Sequence, residues 1–308
     1  MAKYMKTEQG YIDIPNFALE PFKPAGKSYL TFSSSNSFTL YINNSTKNWN
    51  GTIEYFASDK TWTVWDGTTV LSAVYDDGEY FLYLRGTKNT IITGNSISFR
   101  WILHGSNIAC IGNIENLLDY TIVASGNHPT LADYCYFSMF RNCTSLTQAP
   151  TLPATTLADD CYSSMFQDCT ALTQAPALPA TTLANSCYSS MFYNCTSLKL
   201  SSTKTDGYMQ EYCIPSSGEG VTANYALKDM FISTGGTFTG TPAINTTYYL
   251  SSDNMIIRET DIATLNGYVG SMIDTAEYII PSSTSGSTKK FKIIVDDSGA
   301  ISATEITT

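Results

Sequence analysis

The 308-residue chain has only 14% charged residues, and 17 basic against 27 acidic side chains give a formal net charge of −10. Nucleic-acid binding needs a dense basic field, so this balance argues against a nucleic-acid partner. Aromatics at 13%, with 21 Tyr, argue against simple disorder. The two histidines, His104 and His128, leave almost nothing from which to build a histidine network. No apolar run reaches the ~18 residues of a membrane span. The opening MAKYMKTEQGYIDIPNF places Glu8 and Asp13 where a leader's apolar core belongs, so the chain is expected to stay where it is made.

Residues 1–26 form a lead-in with Pro15, Pro21, Pro24 and a break at Gly26. It reads either as an arm that orders against a partner or as a first strand of the next domain. From 27 to 125 the chain is strand after strand: SYLTF, FTLYI, GTIEYFA, TWTVWDG, EYFLYLRG, NTIITG and SISFRWILHG, with turns at Asp66-Gly67 and Asp76-Asp77-Gly78. Such spacing predicts an antiparallel β-sandwich. In TWTVWDG, Trp62, Val64 and Asp66 share one face while Thr63 and Trp65 share the other. One tryptophan is expected in the core, and the other is a candidate platform for a flat ligand such as a sugar ring; Trp65 is taken as that candidate.

Residues 126–235 carry the strongest pattern. LADYCYFSMFRNCTSLTQAPTLPATT from Leu131, LADDCYSSMFQDCTALTQAPALPATT from Leu157 and LANSCYSSMFYNCTSLKL from Leu183 repeat at an offset of 26 residues. This period falls in the leucine-rich-repeat range, where stacked units share one core. Leu157, Cys161 and Met165 lie four residues apart, which predicts a short helical stripe with Phe166 beside it. Equivalent positions form the expected core: Leu131, Cys135, Met139, Phe140 and Cys143; Leu157, Cys161, Met165, Phe166 and Cys169; Leu183, Cys187, Met191, Phe192 and Cys195. A degenerate unit follows at Ala226–Phe231, and ACIGNIENLLDYTIV (Ala109 to Val123) reads as an entry cap. The region 236–308 is Thr/Gly/Ser-rich, then closes in the hairpin FKIIVDDSGAISATEI. The fold class is therefore mainly β with short helices: sandwich, repeat solenoid and a C-terminal hairpin region.

Six of the eight cysteines occur as C-x7-C pairs. Zinc ligand pairs favour about two to four intervening residues, so the spacing is wrong for a metal. Eight helical steps separate a pair by ~12 Å, beyond the ~7 Å a disulfide tolerates. Buried free thiols are favoured, with pairing between neighbouring coils left open. The adjacent pairs Asp76/Asp77, Asp159/Asp160 and Asp296/Asp297 sit at turns or helix starts, where Asp accepts backbone hydrogen bonds. No nucleophile elbow, phosphate loop or dinucleotide fingerprint occurs. No enzyme activity, metal or cofactor is expected.

The unit CYSSMFxxCTxLTQAPxLPATTLA resembles BspA-like leucine-rich repeats of gut Bacteroidetes surface proteins and of phages that infect those bacteria. The likeness is specific over 131–198 and looser through WDGTT, LYLRGTKNTIITG and CIGNIENLLDY. It implies an adhesin or interaction surface rather than an enzyme. The ending KKFKIIVDDSGAISATEI is similar to that of phage head-fibre proteins. Together these imply a phage virion protein made in the host cytoplasm, a head fibre or capsid decoration. It would assemble with itself, as a trimer, and attach to a capsid or other virion protein by the arm 1–26. Host-surface or mucus glycans would be held by Trp65 and by the repeat tyrosines Tyr136, Tyr162 and Tyr188, which alternatively pack over the solenoid. A tail-fibre or receptor-binding protein, and a bacterial cell-surface adhesin with a trimmed leader, are the alternatives.

Overall fold

A computed structural model describes residues 4–7, 10–13, 21–26, 28–251, 256–257, 278–281, 290–295 and 301–306. Strands β1 (Tyr4–Thr7) and β2 (Gly10–Asp13) pair antiparallel, with Tyr4 opposite Asp13. The β-branched and aromatic runs then form β3 (Leu30–Ser34), β4 (Thr39–Ile42), β5 (Thr52–Phe56), β6 (Trp62–Val64), β7 (Leu71–Ser72), β8 (Val74–Asp76) and β9 (Glu79–Thr87). β10 (Trp101–His104) and β11 (Ile108–Ile111) follow, then the helix α1 (Asn116–Ala124).

These strands build two open sheets. One has the order β10-β4-β7; the other runs β11-β3-β9-β5-β6, with β8 paired to β9. The predicted strand NTIITG is instead irregular, because Ile92 and Thr93 turn their N–H groups onto the Cys135 carbonyl of the first repeat. Unlike side chains tie the turns together. Asn89, buried, donates to the Thr52 carbonyl (2.8 Å) and the Leu117 carbonyl (2.9 Å) and accepts from Gly51 N–H (2.5 Å). Gly86 lies so close to the Leu117 carbonyl that a Cβ would collide with it, which explains the glycine inside β9.

α1 is broken at Asp119, whose extended φ of −154° makes it the cap of the second helical piece. Its carboxylate accepts from Thr121 N–H (3.0 Å) and from Lys88 N–H (2.9 Å).

The predicted helical stripe in the repeats is not formed. Residues four apart are indeed equivalent, but every fourth one is left-handed: Tyr134, Ser138 and Asn142; Asp160, Ser164 and Asp168; Ser186, Ser190 and Asn194. The chain is a ribbon of successive turns. Alternate N–H groups close a turn within the repeat, as Met139 to Tyr136 and Arg141 to Ser138. The others reach the next repeat, as Tyr136 to Cys161, Ser138 to Ser163 and Phe140 to Met165, and again Tyr162 to Cys187 and Phe166 to Met191. A true period of four mimics the helical 3.6 over only two turns. Asn, Asp and Ser suit the left-handed sites because short polar side chains tolerate that conformation best after glycine.

The repeats stack in register through β12 (Leu146–Gln148), paired parallel with β11, and single bridges such as Gln148 to Gln174 and Thr156 to Thr182. Ring columns run through them. Phe140, Phe166, Phe192 and Phe231 stack at centroid distances of 5.8, 5.6 and 5.6 Å. The degenerate unit at Ala226–Phe231 is thus a fourth layer. Both ends of the ribbon are closed. Its first open carbonyls take N–H groups from Ile92, Thr93 and Trp101. At the far end Asp229, Phe231 and Ser233 donate to Thr241 Oγ1, the Gly240 carbonyl and Thr239 Oγ1.

β13 (Ala175–Pro176), β14 (Lys199–Ser201), β15 (Tyr208–Cys213), β16 (Gly235–Gly236), β17 (Thr247–Ser251) and β18 (Ile256–Ile257) complete this part, with the sheet order β15-β17-β14-β16 and β13 parallel to β18. Chain contacts divide into two units at Glu259/Thr260. In the second unit β19 (Tyr278–Pro281), β20 (Lys290–Val295) and β21 (Ile301–Ile306) form an antiparallel sheet. The expected closing hairpin is β20 with β21, Val295 opposite Ile301; its turn, with Asp296/Asp297, lies outside the described residues. The chain is mainly β, with several open sheets and, among the described residues, one short α-helix.

Candidate functional site

The residues expected to contact ligand are not at the surface. Trp65 is 1% exposed, its Nε1 donating to the Thr69 carbonyl (2.9 Å) and its ring packed between those of Trp49 (5.2 Å) and Trp101 (5.3 Å). Tyr136, Tyr162 and Tyr188 are also buried, stacked at 5.4 and 5.9 Å. Burial pushes all three hydroxyls up in pKa. They form a core column beside the phenylalanines, so the packing alternative holds for them and the contact role does not.

The expected core residues are buried, with one exception: Leu157 is partly exposed while Leu131 and Leu183 are covered. All eight cysteines are free, seven of them buried, with Cys213 partly exposed. The second cysteine of each repeat donates to a carbonyl of the preceding layer: Cys143 to Trp101 (3.2 Å), Cys169 to Phe140 (3.0 Å) and Cys195 to Phe166 (3.0 Å). A small apolar group with one weak donor fits that position, which accounts for cysteine there. Burial raises the pKa of the seven buried thiols, to about 12 at Cys143 and Cys187.

The carboxylates serve the backbone. Asp66 accepts from the N–H groups of Thr68 and Thr69 (both 2.8 Å), which holds its pKa below the usual range. Asp159 accepts from Asn185 N–H (2.9 Å) and donates its own N–H to Asp133 Oδ1 (3.1 Å), a ladder along the repeats. His128 Nδ1 lies 2.7 Å from Glu115 Oε2, while His104 is exposed on β10. Among the described residues no group of His, Cys, Asp and Glu could hold a metal ion. None of their helices is long and apolar enough to cross a membrane.

Unlike groups converge at one place, a cavity of about 210 Å³ walled by Ser28, Tyr29, Trp62, Arg85, Tyr120 and Ala124. Register explains it. Glu54 on β5 stands opposite Arg85 on β9, and Phe56 stands opposite Trp62 on β6. Arg85 Nε therefore meets Glu54 Oε2 at 2.8 Å. The guanidinium carbon sits 4.1 Å over the Trp62 ring and 4.4 Å over that of Tyr120, delivered by α1. Below lies an aromatic core of Phe22, Tyr29, Phe56 and Tyr83. Phe22 reaches it from the end of the lead-in, its N–H donating to Asp76 Oδ2 (2.8 Å).

Trp65, the expected platform, is therefore core, and it is Trp62 that lines the cavity. Alternation placed the two on opposite faces but carried no sign of which face meets solvent. Arg85, in LYLRG, was legible as a lone cation in an aromatic strand. Tyr120 was not, because its arrival depends on how α1 packs.

Comparison with known proteins adds no relative. The chain matches no protein-family model, no curated protein and no solved structure.

Proposed function

We propose that this chain is a non-enzymatic structural and adhesive protein of a phage virion, a head fibre or capsid decoration. It displays a leucine-rich-repeat-type solenoid, closed at one end by a β-sandwich, to host-surface or mucus glycans. The observation that carries the reading is the division of labour among aromatics. The repeat rings are spent on a rigid core, while Trp62, Arg85 and Tyr120 line an accessible cavity of sugar-ring size. The repeat's resemblance over 131–198 supplies the virion and host context.

Weak single sites suit such display, because many copies convert low affinity into firm retention. Self-association, as a trimer, and attachment to a capsid or other virion protein by the arm 1–26 belong to this reading. So does the order of events, with synthesis in the host cytoplasm and exposure on the virion surface. The test is to locate the chain in purified particles by immunogold microscopy. Label on the head supports the reading, label at the tail converts it to a tail fibre, and absence from particles overturns it.

A further inference from the structure

We infer that the cavity between Trp62, Arg85 and Tyr120 binds one carboxylate-bearing sugar ring, of the uronic-acid class, through the terminal edge of the Arg85 guanidinium. This deepens the adhesive reading above and rests on it. Arg85 is held before any ligand arrives. Its Nε is taken by Glu54 at 2.8 Å, and two aromatic rings fix the plane of the group. Its two terminal nitrogens have no protein partner among the described residues, and the side chain is 21% exposed. A planar fork fixed in this way matches the two oxygens of a carboxylate.

The charge count selects among anions. Arg85 is the one charged group among the residues identified around the cavity, and Glu54 offsets part of its charge. A phosphate or sulfate would want a second cation, and the chain's net charge of −10 repels multiply charged ligands further. A single carboxylate asks for no more than the Arg85 fork.

The walls select the rest of the ligand. Tyr29, Trp62 and Tyr120 give the walls an aromatic, largely apolar character, with Ser28 among them. The C–H faces and hydroxyls of a pyranose answer both. The volume, about 210 Å³, lies below the ~300–1,000 Å³ of sites for larger ligands, so one ring is accommodated.

The experiment titrates the full chain with sodium D-glucuronate, D-glucose and sodium benzoate, followed by saturation-transfer NMR. Saturable glucuronate binding near 1 mM is expected, with glucose at least about tenfold weaker. Arg85→Lys keeps the charge but loses the fork, and should weaken glucuronate about tenfold while the thermal melt stays in place. Tyr225→Phe, at an exposed ring outside the cavity, should bind as the parent does.

Equal binding of glucose and glucuronate, or indifference to Arg85→Lys, overturns the carboxylate assignment and leaves an adhesive role standing. Benzoate binding more tightly than glucuronate overturns the sugar assignment. Failure of intact particles to bind any host glycan defeats the adhesive reading itself.

Discussion

The N-terminal sheets and the repeat stack solve the same problem by different means. Both must satisfy a buried backbone around an aromatic core. The sheets use cross-strand pairing and then tie their turns with individual polar side chains: Asn89 on three backbone groups, Asp119 on Lys88 and Thr121, Asp66 on Thr68 and Thr69. The stack uses one rule applied many times, with each turn bonded to itself and to its neighbour, and each side chain resting on its own counterpart. Unlike neighbours leave shaped gaps, and a cavity with an arginine in it arises there. Identical neighbours close-pack, and the repeat tyrosines are consumed in doing so. The difference teaches that cavities in this chain open where unlike side chains meet and close where like ones stack.

The comparison breaks most visibly in the middle of the stack. Phe166 is fully buried between Phe140 and Phe192, so Phe166→Ala removes two ring contacts and leaves a cavity. A loss of about 4 kcal/mol is expected in denaturant unfolding. All four tryptophans (Trp49, Trp62, Trp65, Trp101) precede the repeats, so their fluorescence reports mainly on the sheets, with Trp101 also touching Phe140 of the first repeat. If the stack behaves as a chain of nearest-neighbour layers, the circular dichroism transition should move further than the tryptophan transition. Coincident shifts would show that the two regions unfold as one.

The matching change in the sheets is Asn89→Ala. It strands the Gly51 N–H and two carbonyls in a buried setting, for a loss of about 3 kcal/mol. Here the tryptophan signal should lead.

Acid and alkali should separate the regions more gently. Burial alone would raise the Asp119 pKa, but hydrogen bonds from Thr121, Lys88 and Ile122 outweigh it and lower the value from 3.8. That contribution is present above the ordinary carboxylate value and disappears as pH falls through the lowered folded one. The thiols run the other way. Their folded pKa values are raised, so their contribution is whole below the ordinary 9.0 and fades as pH climbs towards the folded value of about 12 at Cys143 and Cys187. Acid should therefore unsettle tryptophan fluorescence first, and alkali the repeat signal. Asp119→Asn should flatten the acid limb only.

How far these features were legible depends on the range of the interactions behind each. The strands, the repeat offset, the free buried cysteines and the fourth layer at Ala226–Phe231 arise from local pattern and self-similarity. The cavity depends on which face of β6 turns outward and on α1 carrying Tyr120 to Arg85, and both are settled by packing between distant segments. The helix reading failed for a narrower reason. Positions 157, 161 and 165 satisfy a period of 4 as well as one of 3.6, and the left-handed residues between them carry Ser, Asp and Asn rather than glycine.

That ambiguity yields the smallest effect and the sharpest sign. Ser164 has a φ of 55° and is only partly buried, and its N–H is used between layers. Glycine there keeps the backbone bond and removes the left-handed penalty of roughly 1–2 kcal/mol, offset in part by its greater freedom when unfolded. Ser164→Gly should therefore stabilise the chain by about 0.5–1 kcal/mol. In a helix the same change would cost a similar amount, because glycine is among the poorest helix formers. A calorimetric melt distinguishes the two by the direction of the shift. A rise in Tm is the signature of the turn ribbon, and a fall would restore the helical stripe. Ala175, in β13 and paired there with Ile256, provides the control, since Ala175→Gly should lower Tm in either case.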